Sequence, residues 1–236
     1  MSSDTDTTSS SIHPALAGVG KAAAGMQETG RYFFQRGWSV GTSSNYSVVV
    51  NRSPLQLIVT ASGMDKGRLS ANDFVRVNYD GVQVDASNLP TTDQPRSSAE
   101  TQLHVILARQ EEVGAVLHTH SVWGTLLSDH FAATGGFEIE DYEMLKGLSG
   151  VKTHRHTESV PIFDNTQDIP KLAEKVEDRL HDASLPRIHG FLIRNHGLYT
   201  WGEDLAEARR HIEIFEFLFE VLGRKLSAQG RLCAQA

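Results

Sequence analysis

From Asp204 onward, apolar residues recur at Leu205, Ala208, Ile212, Phe215, Phe219 and Leu222, in steps of 3, 4, 3, 4 and 3. Glu207, Arg210, Glu213 and Glu220 fall off that stripe. The spacing predicts an amphipathic helix whose apolar face packs on a core. A shorter helical period covers Lys171 to His181 through Leu172, Val176 and Leu180. Another opens at Ser97-Ser98-Ala99-Glu100 and runs to about Gln110 through Leu103, Ile106 and Leu107. Ser121 to Asp129 reads as a short helix. Pro14 to Arg36 also reads as helical, although Gly18, Gly20, Gly25 and Gly30 weaken the pattern.

The β-branched runs Tyr46 to Val50 and Leu55 to Thr60 predict strands, and Val113 to His118 predicts a buried one. Val151 to His154 and Ser159 to Phe163 read as a strand pair. Phe191 to Arg194 and Leu198 to Trp201 flank Asn195-His196-Gly197 and predict a hairpin. Strands alternate with helices, yet hairpins rule out a purely parallel sheet. The expected fold class is α/β, with helices on both faces of a mixed or mainly antiparallel sheet.

The chain has 236 residues, with 22 Lys+Arg against 29 Asp+Glu and a formal charge of −7. Residues 1–12 are polar and of low complexity and read as a disordered tail, with no basic or apolar region of a signal peptide. No linker divides the remainder, so a single catalytic domain is expected over residues 13–228, followed by a C-terminal tail at 229–236. A lone cysteine, Cys233, excludes a disulfide framework and multi-cysteine zinc motifs. No apolar run reaches the roughly 18 residues of a membrane span. An acidic chain without a basic run argues against a nucleic-acid partner. A cytoplasmic protein acting on a small molecule is expected, with neither membrane nor nucleic acid as partner.

The chain carries 11 histidines. In Val116-Leu117-His118-Thr119-His120, the two histidines stand at i and i+2 of a strand and so share one face. Two converging imidazoles suit a divalent transition metal. A second such pair, His154-Arg155-His156, holds a bulky cation between its histidines and has polar neighbours. A catalytic zinc commonly takes three protein ligands and keeps a fourth position open. The best third candidate is His196 at the hairpin tip, where Gly197 permits close backbone approach. Glu100 completes Ser97-x-x-Glu100, which reads either as a capping box or as an acid/base or ligand at a helix start. Glu143 lies beside apolar Met144 and Leu145, where burial would raise a carboxyl toward a useful base. The turns Ser44-Asn45, Ser62-Gly63 and Ser97-Ser98 could hold a phosphate, with Lys66 and Arg194 adding charge. Gly18-Val19-Gly20-Lys21-Ala22 lacks the hydroxyl and the glycine spacing of a phosphate loop.

In order, Ser44-Asn45-Tyr46-Ser47, Val59-Thr60-Ala61-Ser62-Gly63, Ser97 to Glu100, His118-Thr119-His120 and Asn195-His196-Gly197 resemble the class II aldolase/adducin family. The resemblance covers roughly residues 15 to 225. It implies a three-layer α/β/α fold with a central, mainly antiparallel sheet, and a homotetramer. It also implies one zinc per subunit on His118, His120 and His196. Thr60 to Leu69, Tyr142 to Gly147, Pro161 to Ile169 and His196 to Gly202 are similar to the dehydratase branch of that family. That branch implies a hydro-lyase acting on a ketose 1-phosphate, with catalytic Glu143 ahead of Glu100, the position that matches the acid/base of the family's aldolases. Asn45, Ser62, Gly63, Lys66, Ser97 and Ser98 would hold the phosphate. The rivals are a class II sugar-phosphate aldolase or epimerase and a non-catalytic adducin-like interaction module. The three-histidine set argues against the second.

Overall fold

A computed structural model describes residues 12–232. Residues 1–11 of the expected N-terminal tail, the last four positions of the chain and Cys233 among them lie outside the described residues. The elements follow in chain order: α1 (Gly20–Gln35), β1 (Asn45–Arg52), β2 (Leu55–Thr60), β3 (Phe74–Asn78), α2 (Thr101–Ala108), β4 (Ala115–Thr119), α3 (Val122–His130), β5 (Gly136–Ile139), β6 (Glu158–Phe163), α4 (Ile169–His181), β7 (Gly190–Ile193), β8 (Gly197–Gly202) and α5 (Leu205–Ala228). The eight strands form one sheet in the order β3-β2-β1-β4-β8-β7-β6-β5. Every neighbouring pair is antiparallel except β6 and β7, which run parallel because α4 crosses between them.

Side-chain alternation sends each strand into two cores. Leu117 on β4 packs with Met26 and Phe33 of α1 and Phe215 and Phe219 of α5. Its neighbour Val116 packs with Leu103 and Leu107 of α2 and Leu172 and Val176 of α4. Helices therefore cover both faces of the sheet, as the sequence predicts. Each fully buried Leu, Val or Phe contributes about 1.5–3 kcal/mol. Asp204 caps α5 by accepting from the Glu207 N–H at 2.8 Å, and Asp168 caps α4.

Three expectations are corrected. The helix expected from Pro14 is interrupted, because Gly18 sits at φ +78° and parts a single turn at Pro14–Leu16 from α1. Val151 to His154 is not a strand, and β6 pairs instead with β5. Gly150 at φ +74° turns the chain there. Ser97-x-x-Glu100 is not a capping box: Glu100 itself sits at the N-cap and its carboxylate makes no cap bond. Ser98 accepts from the Glu100 N–H at 3.2 Å, which frees the carboxylate to turn toward the sheet.

Candidate active site

His118 is the last buried residue but one of β4, on the face that looks toward α2. Its Nδ1–H donates to the Leu198 carbonyl at 2.9 Å, which leaves the Nε2 lone pair free. His120 Nε2 lies 2.8 Å from His118 Nε2, and His196 Nε2 lies 3.4 Å from it. The three ligand atoms lie within 4.8 Å of one another. His196 reaches in from the β7–β8 turn, where Asn195 adopts φ +53°. Gly197 lets β8 close on β4, since a Cβ there would stand 2.1 Å from the Thr119 carbonyl oxygen. The sequence expectation for these three histidines is one shared face and one point of convergence, and the structure brings them together in that way.

Electrostatics keep His118 and His120 neutral. Burial, reinforced by His120 and His196, holds His118 well below its ordinary pKa. Burial lowers His120 to about 4, helped by His196 and Lys66. Neutral rings offer lone pairs, the state a metal ligand requires. Tyr199 on β8 fixes the His118 ring by stacking on it at 4.0 Å between centroids, 14° from parallel.

Glu100 closes the arrangement from the start of α2. Its Oε1 is 3.1 Å from His196 Nε2 and its Oε2 is 3.8 Å from His118 Nε2. Oε1 is buried and receives no hydrogen bond. A buried carboxylate oxygen without a donor, beside one of three converging imidazoles, fits a divalent cation at the triad. The Asn45 amide donates to Glu100 Oε2 at 2.6 Å. His104 Nε2 in turn donates to Asn45 Oδ1, and Ser47 donates to His104 Nδ1 at 2.8 Å. Burial lowers His104 to about 3, so this relay is uncharged.

A cavity of about 140 Å³ opens beside the triad, lined by Ser44, Asn45, Ser62, Gly63, Lys66, Ser98, Glu100 and His120 among others. Lys66 is almost fully buried, and its Nζ donates to the carbonyls of Met64 at 2.6 Å and Thr42 at 3.4 Å. Burial lowers it to about 8, although Asp65 and Asp73 oppose the shift. An ammonium bonded, among the described residues, to two carbonyls leaves positive charge at the cavity. Ser97 pairs its backbone with Ala61 and does not line the cavity. Arg194 is tied to Asp129 at 3.0 Å.

Glu143 lies elsewhere on the chain. It starts a turn at Glu143–Gly147, is exposed, and pairs with Lys146 at 2.6 Å and with His154 at 3.9 Å. Lys146 holds its carboxyl below the usual range, by hydrogen bond first and charge second. The expected burial beside Met144 and Leu145 is therefore corrected: Leu145 turns inward, while Glu143 and Met144 face out. His154 is exposed, and His156 joins other residues described below. The sequence alone does not single out His104 or Tyr199. For His104 a signal existed, since it stands four residues after Glu100 on the same helix face.

The chain belongs to the class II aldolase and adducin family, whose profile (class II aldolase and adducin N-terminal domain) matches residues 24–222. Among curated relatives, a methylthioribulose-1-phosphate dehydratase of Marinobacter nauticus is 48% identical over 84% of this chain and 91% of its own. The enzyme of that name from Pseudomonas fluorescens is 46% identical over 86% of this chain and 93% of its own. The crystal structure of L-fuculose-1-phosphate aldolase from Thermus thermophilus superposes with a TM-score of 0.67 at 22% identity. It covers 89% of this chain and 97% of that one, and it shows the shared fold.

Proposed function

We propose that this chain is a zinc-dependent hydro-lyase that removes water from 5-methylthioribulose 1-phosphate in methionine salvage, in the cytoplasm. The product is 2,3-diketo-5-methylthiopentyl 1-phosphate. The observation that carries the reading is the convergence of three imidazoles beside a cavity that Lys66 lines, in a chain nearly half identical to dehydratases of that name.

His118, His120 and His196 would hold the zinc. A zinc ion there supplies Lewis-acid polarisation of the substrate's C2 carbonyl, which acidifies the C3 hydrogen. Lys66, with Ser62, Gly63, Ser98 and Asn45 around the cavity, anchors the phosphate and so orients the reacting carbons. Glu143 takes the C3 proton and, as the acid, gives a proton to the departing C4 hydroxyl. The resulting enol tautomerises to the diketone, with water the only other product. Among the described residues of its own chain Glu143 is exposed and paired only with Lys146 and His154, so the reading places it at the triad of a neighbouring subunit in a homotetramer. Exposed Val122 on α3, Met144 beside Glu143 and Phe217 on α5 support such an interface, because α5 packs against both of the other elements.

Glu100 favours a second reading, a sugar-phosphate aldolase or epimerase, because it is the carboxylate that touches the triad within one chain. An assay of the purified protein with 5-methylthioribulose 1-phosphate, following the diketone by absorbance, tests the first reading. Chelator-sensitive product formation supports it. Zinc-loaded protein that makes no product removes it.

A further inference from the structure

We propose that His156, Glu158 and His189 form a second divalent-cation site, at the opposite end of the sheet from the triad. Glu158 begins β6 and His189 immediately precedes β7, whereas His196 follows the far end of β7. The three ligand atoms lie within 4.8 Å of one another. They are His156 Nε2 and His189 Nδ1, which face the same carboxylate oxygen, Glu158 Oε2, at 2.8 Å and 2.9 Å.

The hydrogen-bond inventory points to a cation. His189 Nε2–H donates to the Ser149 carbonyl at 2.8 Å, so that with a cation bound the ring would turn its Nδ1 lone pair toward the carboxylate oxygen. A ring nitrogen oriented by a carbonyl on its other side is the usual second partner of a metal-bound histidine. Glu158 is fully buried, and its ion-pair partners among the described residues are the two histidines, with no Lys or Arg. Its Oε1 accepts the His189 backbone N–H at 2.9 Å, so one oxygen is satisfied and the other faces two imidazoles. A buried carboxylate needs a positive charge beside it, and here that charge must arise within the cluster. Two imidazoles and one carboxylate are a zinc donor set that leaves a fourth position open.

That position faces a cavity of about 700 Å³, lined by His156, His189, His211, Lys152, Arg155 and Arg187 among others. The rim sets Lys152, Arg155 and Arg187 against Glu112, Glu203 and Glu207, and water suits the fourth position. His211 is already committed: its Nδ1–H donates to Trp201 at 2.7 Å and its Nε2 accepts from Ser149 at 3.1 Å. A cation here would fasten the turn around Ser149 to the start of β7, independently of the reaction at the triad.

The test is metal stoichiometry. Full-length protein is stripped with chelator, dialysed against zinc alone and measured by inductively coupled plasma mass spectrometry. Two zinc ions per chain are expected for the wild type, one for the double variant H118A/H120A, one for His156→Ala and none for the three changes together. His156 lies at the partly exposed edge of the cluster, so its removal spares the core; His189→Gln serves as a second variant. In the H118A/H120A background, zinc should raise the melting temperature, and adding His156→Ala should abolish that rise. One zinc per chain in the wild type, lost with the triad, would overturn the proposal and leave His189 as a protonated partner of Glu158. A second zinc that survives both His156→Ala and His189→Gln would overturn it equally.

Discussion

The side-chain amide of Asn45 donates to Glu100 Oε2 at 2.6 Å, across 55 residues of sequence. Asn45 starts β1 and Glu100 sits at the N-cap position of α2, so the bond ties the sheet to the helix at the point where both meet the triad. Asn45 thus has a structural task besides lining the phosphate cavity. It holds a carboxylate that a cap bond would otherwise have drawn away. Asn45→Ala should leave zinc content unchanged and lower kcat about 10-fold, if the loss of one charge-assisted hydrogen bond of about 1.5 kcal/mol is felt in the transition state. An unchanged kcat with an unchanged KM would show that Glu100 needs no such support.

Glu143→Gln and Glu100→Gln separate the two carboxylates. Loss of a general base costs about 10²- to 10⁴-fold in turnover. Glu143→Gln should lose that much while keeping its zinc and its melting temperature, because the side chain is exposed. A near-normal rate in Glu143→Gln, with turnover lost in Glu100→Gln, would move the proton transfer to Glu100.

Mixing two inactive variants tests whether Glu143 acts across subunits. Glu143→Gln keeps an intact triad, and His118→Ala keeps an intact Glu143. After dissociation and reassembly together, hybrid oligomers should recover activity that neither parent shows. Hybrids confirmed by mass spectrometry but devoid of activity would place Glu143 and the triad in the same subunit, or Glu143 outside the reaction.

Lys66→Met keeps the length of a buried side chain and removes its charge. Phosphate affinity should fall, raising KM about 10- to 100-fold, with inorganic phosphate inhibiting correspondingly less. One lost charge-assisted contact of about 1.5–3 kcal/mol accounts for that range. An unaltered KM would remove Lys66 from the phosphate site.

Stability should fall as pH drops below about 6.5. Burial holds His104 at about 3 and His211 at about 4 in the folded chain. The unfolded chain protonates both near 6.5, so it binds more protons than the native state between there and pH 4. Each group then removes up to about 1.4 kcal/mol per pH unit. His189 does not change the slope below 6.5, because its raised value has given its full stabilisation by that point and loses it only as pH rises through the folded value. Urea midpoints at pH 6.5, 5.5 and 4.5 check the trend, and a flat profile would contradict it.

What the sequence could show was whatever follows from local period. His118 and His120 share a face because a strand alternates, and α5 is legible because its stripe repeats at helical steps. β3 was missed because Arg76 interrupts an apolar strand. The structure buries that guanidinium by donating to the carbonyls of Ala15 and Ala17 and to Gln56. β5 was missed because its four residues include two polar or glycine positions, and its pairing with β6 is set across the intervening turns. The relay from Ser47 through His104 and Asn45 to Glu100 joins residues up to 59 apart, and local spacing does not encode such contacts. Glu143 shows the converse: its apolar neighbours in sequence suggest burial, but the short turn sends only Leu145 inward and leaves Glu143 and Met144 outside.

The most direct test of the central claim is the identity of the product formed from 5-methylthioribulose 1-phosphate, read by mass spectrometry and NMR. The account predicts an intact carbon chain lighter by one water, with a 2,3-diketone, formed by zinc-loaded protein and not by His118→Ala. Cleavage between C3 and C4, giving dihydroxyacetone phosphate and a thioether aldehyde, would contradict it and make the chain an aldolase.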